Sequence, residues 1–204
     1  MSVLITDPVW GMELRASRER VDGDKWNEVW DGVLVMPSLP NDEHQEIQAN
    51  LLLPLLTVIG VPGLGKVRAG VNVTDRHPDW KSNYRGPDVV VYLTANPAVN
   101  HGTHWVGGPD FLVEIISPGE NPKQKNDFYA RVGTREVLVI DRDPWCLEMF
   151  QLTGGVLRSV GQSDNQTSAM LDSCTLPFSF CLRAATPRPT IVVTHSGTGQ
   201  TWTA

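Results

Sequence analysis

Short apolar runs alternate with amphipathic stretches along the middle of the chain. Residues 88–93 (DVVVYL) and 111–116 (FLVEII) are almost continuously apolar, which is typical of strands buried on both faces of a sheet. From 44 to 58, apolar residues recur at spacings of three and four, the pattern of a helix with one buried face. This alternation predicts an α/β domain built around a mixed β-sheet.

Helices are predicted at 11–20, 42–58 and 121–132. Asn41 or Asp42 can cap the second helix, and Pro54 should kink it about one turn before its end, because proline lacks the backbone N–H that a helix uses. Asn121, followed by a proline, can cap the third helix, which should stop at Gly133.

β-Hairpins are predicted at both ends of this core. Asp31-Gly32 lies between two short β-rich runs, and this dipeptide favours a two-residue turn in which both residues have positive φ. Strands are predicted at 27–30, 33–36, 66–74, 88–93, 111–116, 136–141, 146–152, 156–160 and 176–182. From Arg183 the composition shifts to Thr, Pro, Ser and Gly. We therefore expect one domain over 1–182 and a weakly packed C-terminal tail over 183–204.

The composition is that of an ordinary globular protein, with 204 residues, 41% of them hydrophobic, and a net charge of −6. No apolar run approaches the roughly 20 residues that span a bilayer, so no membrane association is expected. The N-terminus lacks a signal-peptide pattern, and three cysteines are too few for a disulfide framework or a four-cysteine zinc site. A reduced, cytoplasmic location is the default expectation.

The acidic balance argues against a nucleic-acid partner, because binding to DNA depends on neutralising phosphates. Basic residues nevertheless cluster at 66–85 and again at 123–135. These groups are either a local phosphate-binding surface or solvated loop charge.

The most informative residue is a glutamate inside an apolar strand. An ionised Glu114 without a partner would cost several kcal/mol when buried, so it is salt-bridged, protonated or bound to a cation. Asp88 opens the apolar strand 88–93, where polar groups can meet solvent. If the two strands are neighbours, both carboxylates could bind one hard divalent ion such as Mg²⁺.

Lys125 is the third candidate. It lies three, four and seven positions before Phe128, Tyr129 and Val132, and therefore on the inward face of the third helix. An ammonium near two carboxylates would stabilise the negative charge that develops during phosphoryl transfer. Alternatively, the side chain snorkels from the helix end to solvent.

Four segments, in this order, resemble the Uma2 family of the PD-(D/E)XK nuclease superfamily: NEVWDGVLVMPSLPNDEHQ, GPDVVVY, PDFLVEIISP and K-x-x-x-Y-A-R-x-G. The resemblance covers about residues 25–180. It implies a restriction-endonuclease-like mixed β-sheet flanked by helices, with β-hairpin additions. It also implies that Asp88 and Glu114 bind the metal, with the carbonyl of Ile115 as a further ligand.

The usual superfamily lysine, two residues after the glutamate, is replaced here by Ile116. By resemblance, Lys125 takes its place from the next helix. Glu28 and His44 match recurrent family positions at the edge of the active site.

The function implied by the resemblance is a Mg²⁺- or Mn²⁺-dependent endonuclease that hydrolyses DNA with a metal-activated water. A homodimer is expected by analogy with the superfamily. The net charge of −6 and the missing lysine instead favour a weak or inactive nuclease-like protein that binds DNA or regulates. A third alternative is metal-dependent hydrolysis of a small phosphorylated molecule.

Two other signals are weaker. His101 and His104 could supply metal-binding nitrogens, but they lie in a Gly-rich stretch without a third ligand close in sequence, and a solvated loop is the simpler interpretation. The segment GVPGLGKV at 60–67 nearly matches a phosphate-binding P-loop, yet Val67 stands where Ser or Thr is needed.

Overall fold

The computed structural model describes residues 2–20, 26–117 and 122–204, and within these ranges the chain forms three α-helices and 17 strands. The helices, α1 to α3 in chain order, are Pro8–Glu19, Asp42–Leu55 and Asn126–Arg131. The strands, β1 to β17 in chain order, are Val3–Ile5, Glu28–Trp30, Val33–Met36, Gly65–Ala69, Val73–Thr74, Tyr84–Arg85, Val89–Leu93, Val99–Asn100, Trp105–Val106, Phe111–Ile115, Glu136–Arg142, Trp145–Thr153, Val156–Asp164, Leu171–Asp172, Phe178–Arg183, Thr190–His195 and Thr201–Thr203. None of the helices in the described ranges is long and apolar enough to cross a membrane.

The central sheet is mixed, as the alternation of strands and helices predicts. Its order is β13-β12-β11-β10-β7-β4, with β10 parallel to β11 and antiparallel to β7. In the β7–β10 pair, Val113 lies opposite Val89. The strands that carry Asp88 and Glu114 are therefore neighbours.

The two faces of this sheet are covered by different elements. Val89 and Phe111 pack in one core cluster with Leu51 of α2, whereas Val90 and Leu112 pack in another with Tyr129 of α3. Successive strand residues point to opposite faces, which explains why the apolar runs of β7 and β10 are continuous.

A seven-stranded sheet, in the order β1-β3-β2-β6-β5-β9-β8, contains the N-terminal hairpin. The turn between β2 and β3 is the predicted one, since φ is +46° at Asp31 and +90° at Gly32. The hairpin places Glu28 on the strand beside β6.

The prediction of a weakly packed tail over 183–204 is wrong. β16 and β17 lie in this segment and complete a four-stranded sheet, β14-β15-β16-β17, and Ile191 and Val193 are buried in the same core as α2. The apolar run IVV lies within β16, and the Thr, Ser and Gly residues that suggest a tail belong mainly to the turns around it.

The predicted strand 66–74 is two strands in different sheets. Gly70 has φ of +59° and redirects the chain, so that β4 joins the central sheet and β5 the seven-stranded one. Because β4 begins at Gly65, the segment 60–67 does not open a helix and does not form a P-loop.

Two helix ends also differ from the prediction. After Pro54 the α-helix gives way to a π turn at Leu56–Gly60, and Asn41 caps the start by accepting a hydrogen bond from the His44 N–H. The third helix begins with a 3₁₀ turn at Pro122–Lys125; its predicted cap, Asn121, lies outside the described residues. Its end before Gly133 is as predicted.

Candidate active site

A cleft opens where the N-terminal hairpin, α2, the ends of β7 and β10, and the turn before α3 meet. Its lining comprises Trp26, Glu28, Pro37, Ser38, Pro40, His44, Gln45, Gln48, Gly86, Asp88, Glu114, Ile115, Ser117 and Lys125. The lining includes every site residue expected from the sequence. The cavity volume of about 60 Å³ has room for several waters, since one water needs roughly 10–15 Å³.

Glu114 is held by two side chains from the segment that forms α3. The Lys125 Nζ atom lies 3.2 Å from each carboxylate oxygen of Glu114, and the Tyr129 hydroxyl donates a hydrogen bond to Glu114 Oε1. Lys125 therefore points inward rather than snorkelling to solvent. Ile116, at the usual place of the superfamily lysine, packs in the core on the α3 side of the sheet.

Glu28 is the second partner of the lysine, although the two residues are 97 positions apart in sequence. Lys125 Nζ donates to Glu28 Oε1 at 2.8 Å. The same carboxylate accepts hydrogen bonds from the Gly86 N–H at 2.9 Å and from Trp30 Nε1 at 2.6 Å. Glu28 thus fixes the ammonium in the cleft.

Asp88 connects α2 to the end of β10. Its Oδ1 atom lies 2.8 Å from His44 Nε2, and its Oδ2 atom accepts a hydrogen bond of 2.7 Å from the Ile115 N–H. The Asp88 carbonyl accepts a further bond from Gln48 Nε2 at 2.7 Å. The Asp88 carboxylate is therefore bound to the backbone N–H of the residue that follows Glu114. The N–H and C=O of a strand residue point to the same side, so the Ile115 carbonyl faces the side of Asp88.

The charges in the cleft have unequal surroundings. The pKa of Glu114 is raised to about 7, chiefly by burial and also by the Asp88 and Glu28 carboxylates, against the opposing effect of the Lys125 ammonium. Burial also acts to raise the pKa of Glu28, but the Lys125 ammonium and the hydrogen bonds to Glu28 hold it below its usual value. Burial lowers the pKa of Lys125, and the charges of Glu114 and Glu28 more than offset this. Lys125 therefore stays protonated, while Glu114 titrates near neutral pH.

A divalent cation fits this donor set. Among the side chains that line the cleft, the three carboxylates of Glu28, Asp88 and Glu114 face the single ammonium of Lys125, and the raised pKa of Glu114 reflects this excess of negative charge. Carboxylate and carbonyl oxygens are the ligands that Mg²⁺ prefers. A bound cation would compete with Lys125 for Glu114.

Sequence analysis treats Tyr129 as a core residue and so misses its role in the cleft. The side chain is buried, yet its hydroxyl bonds to Glu114. Burial is the main cause that raises the pKa of Tyr129 well above its usual value, so the hydroxyl keeps its proton as a donor. The spacing of four between Lys125 and Tyr129 places both on one helix face, and this spacing is the signal that could have identified it.

Several cations of the first basic group, at 66–85, are engaged by other groups of the protein. Its ion pairs are Arg76 with Asp75 at 2.7 Å and Lys81 with Glu19 at 2.9 Å. The guanidinium of Arg85 is buried and donates to the carbonyls of Val29 and Tyr84. These contacts favour structural ion pairing over a phosphate-binding surface.

The second basic group, at 123–135, is similar. Arg135 lies 3.3 Å from Asp110 and Arg131 lies 3.7 Å from Asp31. Lys125 is used in the cleft. Both basic groups therefore contain exposed cations that are already paired with acidic side chains, which weakens them as phosphate-binding surfaces.

A mixed sheet flanked by helices, with acidic side chains at the ends of two adjacent strands, defines a protein of the restriction-endonuclease-like fold. The fold is similar to that in the crystal structure of a "putative nuclease belonging to DUF820" from Anabaena variabilis ATCC 29413, with a TM-score of 0.58 and 16% sequence identity over 72% of this chain and 80% of that chain. Residues 16–185 match the Uma2 family, described as "Putative restriction endonuclease". This chain belongs to the Uma2 family, as its motifs indicate. No curated protein matches it.

Proposed function

We propose that this protein is a metal-dependent endonuclease that hydrolyses phosphodiester bonds in DNA. The observation that carries the proposal is that Asp88, Glu114 and Lys125, which come from three separate elements, line one cleft. Membership of the Uma2 family supports the reaction class. Without the Uma2 match, the same residues would fit a phosphohydrolase of any substrate size.

Asp88 and Glu114 are the proposed ligands of Mg²⁺ or Mn²⁺, with the Ile115 carbonyl as a further oxygen. The bound ion supplies a water of lowered pKa and stabilises negative charge on the phosphoryl oxygens. His44 positions Asp88, because its Nε2 atom lies 2.8 Å from Asp88 Oδ1 and an ionised carboxylate can only accept.

Lys125 is proposed to stabilise the charge that builds up on the scissile phosphate. Its ammonium has three donors, and the structure uses them on Glu28 and Glu114. Glu28 is a positioning residue, since its bond of 2.8 Å keeps the ammonium in the cleft. A cation that binds Glu114 would release part of the Lys125 contact and make the ammonium available to the phosphate.

The alternative is a Uma2 protein that binds DNA without cleaving it. One observation favours this alternative: the Lys125 ammonium is already engaged in ion pairs with both Glu28 and Glu114. The net charge of −6 fits poorly with tight binding of phosphates, and so favours a weakly binding or regulatory protein over a DNA-cleaving one.

The test is cleavage of plasmid and single-stranded DNA by tag-free protein with Mg²⁺ or Mn²⁺. We expect metal-dependent cleavage that falls at least about 100-fold in Asp88→Asn, Glu114→Gln and Lys125→Met, because each removes a group that acts on the charged phosphate. Glu148→Gln is the matched control, since Glu148 lies on the central sheet outside the cleft.

Two results would contradict the proposal. DNA binding without turnover by contaminant-free protein supports the non-cleaving alternative. Turnover of a small phosphodiester such as bis(p-nitrophenyl) phosphate, with DNA left intact, supports a small-molecule phosphohydrolase.

A homodimer is part of the proposal by analogy, because two sites would then meet two DNA strands. Sedimentation of the tag-free protein, alone and with duplex DNA, tests it. The expected species has twice the mass of one chain, and a monomer in both samples would contradict it.

A further inference from the structure

Three histidines outside the cleft come together at the β8 end of the seven-stranded sheet. His77 follows β5, and His101 and His104 lie in the turn of the β8–β9 hairpin. The His101 N–H donates to the His104 carbonyl at 2.9 Å, and β5 pairs with β9. The pairing of β5 with β9 brings His77, which is distant in sequence, next to His101 and His104 as a third imidazole.

The spacing of the ring nitrogens is close to that of a metal site. One potential ligand nitrogen from each ring lies within 4.8 Å of the others, and His77 Nδ1 is 3.1 Å from His104 Nε2. Two nitrogens that bind one tetrahedral Zn²⁺ at 2.0–2.1 Å are roughly 3.3 Å apart. The spacing of the His77 and His104 nitrogens therefore matches that of a metal site, but the nearly parallel rings must turn for their lone pairs to meet at one ion. His77 and His101 are exposed, so their side chains can make this rotation.

His104 is already oriented as a ligand. It is buried, and its Nδ1 atom lies 3.0 Å from the Thr103 hydroxyl. When Nδ1 carries the proton and donates it to Thr103, the Nε2 lone pair faces His77. Metal-binding histidines are commonly fixed by such a hydrogen bond from the other ring nitrogen.

Electrostatics also disfavour protonation at this point. Burial lowers the pKa of His104, and His101 and His77 lower it further. Neutral imidazole is the form that binds metals.

Ring packing alone does not explain the arrangement. His104 stacks on Trp80 with ring centroids 4.7 Å apart, and His77 stacks on His101 at 4.0 Å. However, His77 and His101 are exposed, so they gain little apolar burial from stacking. The stacked rings place one nitrogen of each within 4.8 Å of the others, so a shared ion would add to a contact that apolar burial stabilises little.

We propose that His77, His101 and His104 form a binding site for a transition-metal ion, with Zn²⁺ as the expected occupant, separate from the catalytic cleft. Imidazole nitrogens suit Zn²⁺, Ni²⁺ or Cu²⁺ rather than Mg²⁺, and three protein ligands leave a fourth position for water. The ion would link the segment after β5 to the β8–β9 hairpin. The pairing between β5 and β9 spans only two residue pairs, so the ion would stabilise a short strand pairing.

The test is Zn²⁺ binding to full-length, tag-free protein that has first been stripped of metal with a chelator. Asp88→Asn serves as the background, because it removes a carboxylate of the cleft that could also bind Zn²⁺. We expect one equivalent of Zn²⁺, Co²⁺ absorption typical of tetrahedral coordination, and a rise in Tm of roughly 5–10 °C at about 100 times Kd.

His77→Gln and His101→Gln change exposed residues and should weaken Zn²⁺ binding at least about 10-fold while the protein stays folded. His195→Gln is the matched control, because His195 lies on β16 in another sheet, and it should bind normally. Unchanged binding in both cluster variants, or loss of the bound Zn²⁺ in Asp88→Asn alone, would overturn the proposal.

Discussion

At the scale of single residues, the chemistry of the cleft depends on how the charge of one buried glutamate is compensated by its neighbours. Glu114 has one cationic neighbour, Lys125, and two anionic ones, Asp88 and Glu28. With its pKa raised to about 7, a proton would compete with the proposed metal ion for this carboxylate near neutral pH. From its sequence position, Glu114 could be salt-bridged, protonated or metal-bound. In the structure Lys125 forms an ion pair with it, and its burial raises its pKa.

This competition predicts how stability changes with pH. The folded pKa of Glu114 is raised from 4.5 to about 7, so its proton stabilises the fold below pH 4.5 and this contribution is lost as the pH rises through 7. The full loss is on the order of 3 kcal/mol. Urea unfolding of the metal-free protein between pH 5 and 8 measures it, with Glu114→Gln as reference, because glutamine does not titrate.

Added Mg²⁺ should reverse this trend, since the cation binds the ionised carboxylate and stabilises the fold more at pH 8 than at pH 5.5. A difference between wild type and Glu114→Gln that stays constant from pH 5 to 8 would show that Glu114 does not titrate in this range.

At the scale of secondary structure elements, the site depends on where α3 ends as well as where it begins. Gly108 lies just before β10, and its N–H donates to the Val132 carbonyl at 2.7 Å. A Cβ atom at Gly108 would come within 2.3 Å of the Thr134 nitrogen. The missing side chain lets the end of α3 lie against the chain that enters β10, and this places Tyr129 beside Glu114.

Gly108→Ala should therefore destabilise the protein by about 2–4 kcal/mol, because the contact is with rigid backbone. It should also lower nuclease activity, through the position of Tyr129. The matched control is Gly11→Ala in α1, where a Cβ would meet its nearest neighbours at 3.8 Å. Alanine is the better helix former, so this variant should be neutral or stabilised by up to about 1 kcal/mol. Equal unfolding midpoints in urea for the two variants would contradict this account of Gly108.

The elements that sequence analysis predicts correctly are those with a local pattern. The apolar runs of β7 and β10, and the Asp31-Gly32 turn, specify their own conformation. Two other features depend on tertiary contacts: the division of 66–74 at Gly70 and the pairing of β16 with β15. No short sequence pattern predicts them. The same is true of His77, which is 27 residues from His104 and reaches it only through the β5–β9 pairing.

At the scale of the whole molecule, the seven-stranded sheet connects the two proposed metal sites. Glu28 lies on β2, and the three histidines cluster beside β5, β8 and β9 in the same sheet. The surface around them offers few unpaired cations in the described segments 66–85 and 122–135, because many are in ion pairs or buried. Long-range attraction of DNA would therefore be a weak source of affinity, and the metal proposed for the cleft would be the main point of attraction for phosphate.

This distribution of charge predicts the salt dependence of DNA binding. A protein that makes six to ten phosphate contacts loses about 10³–10⁵ in affinity between 50 and 200 mM salt. Here we expect a slope of log K against log salt of only about −2 to −4, since few cations are available to replace counterions. Fluorescence anisotropy with labelled duplex DNA measures the slope. The measurement is made without and with Ca²⁺, a hard ion that binds oxygen ligands.

Affinity should rise at least about 10-fold when Ca²⁺ is added, because an ion held by Asp88 and Glu114 converts an acidic cleft into a phosphate site. Asp88→Asn should abolish this rise and leave the weak metal-independent binding unchanged, whereas Glu148→Gln should retain it. A slope steeper than about −6, with no response to Ca²⁺, would place the DNA on a basic surface elsewhere in the chain. In that case the cleft would not be where the phosphate backbone binds.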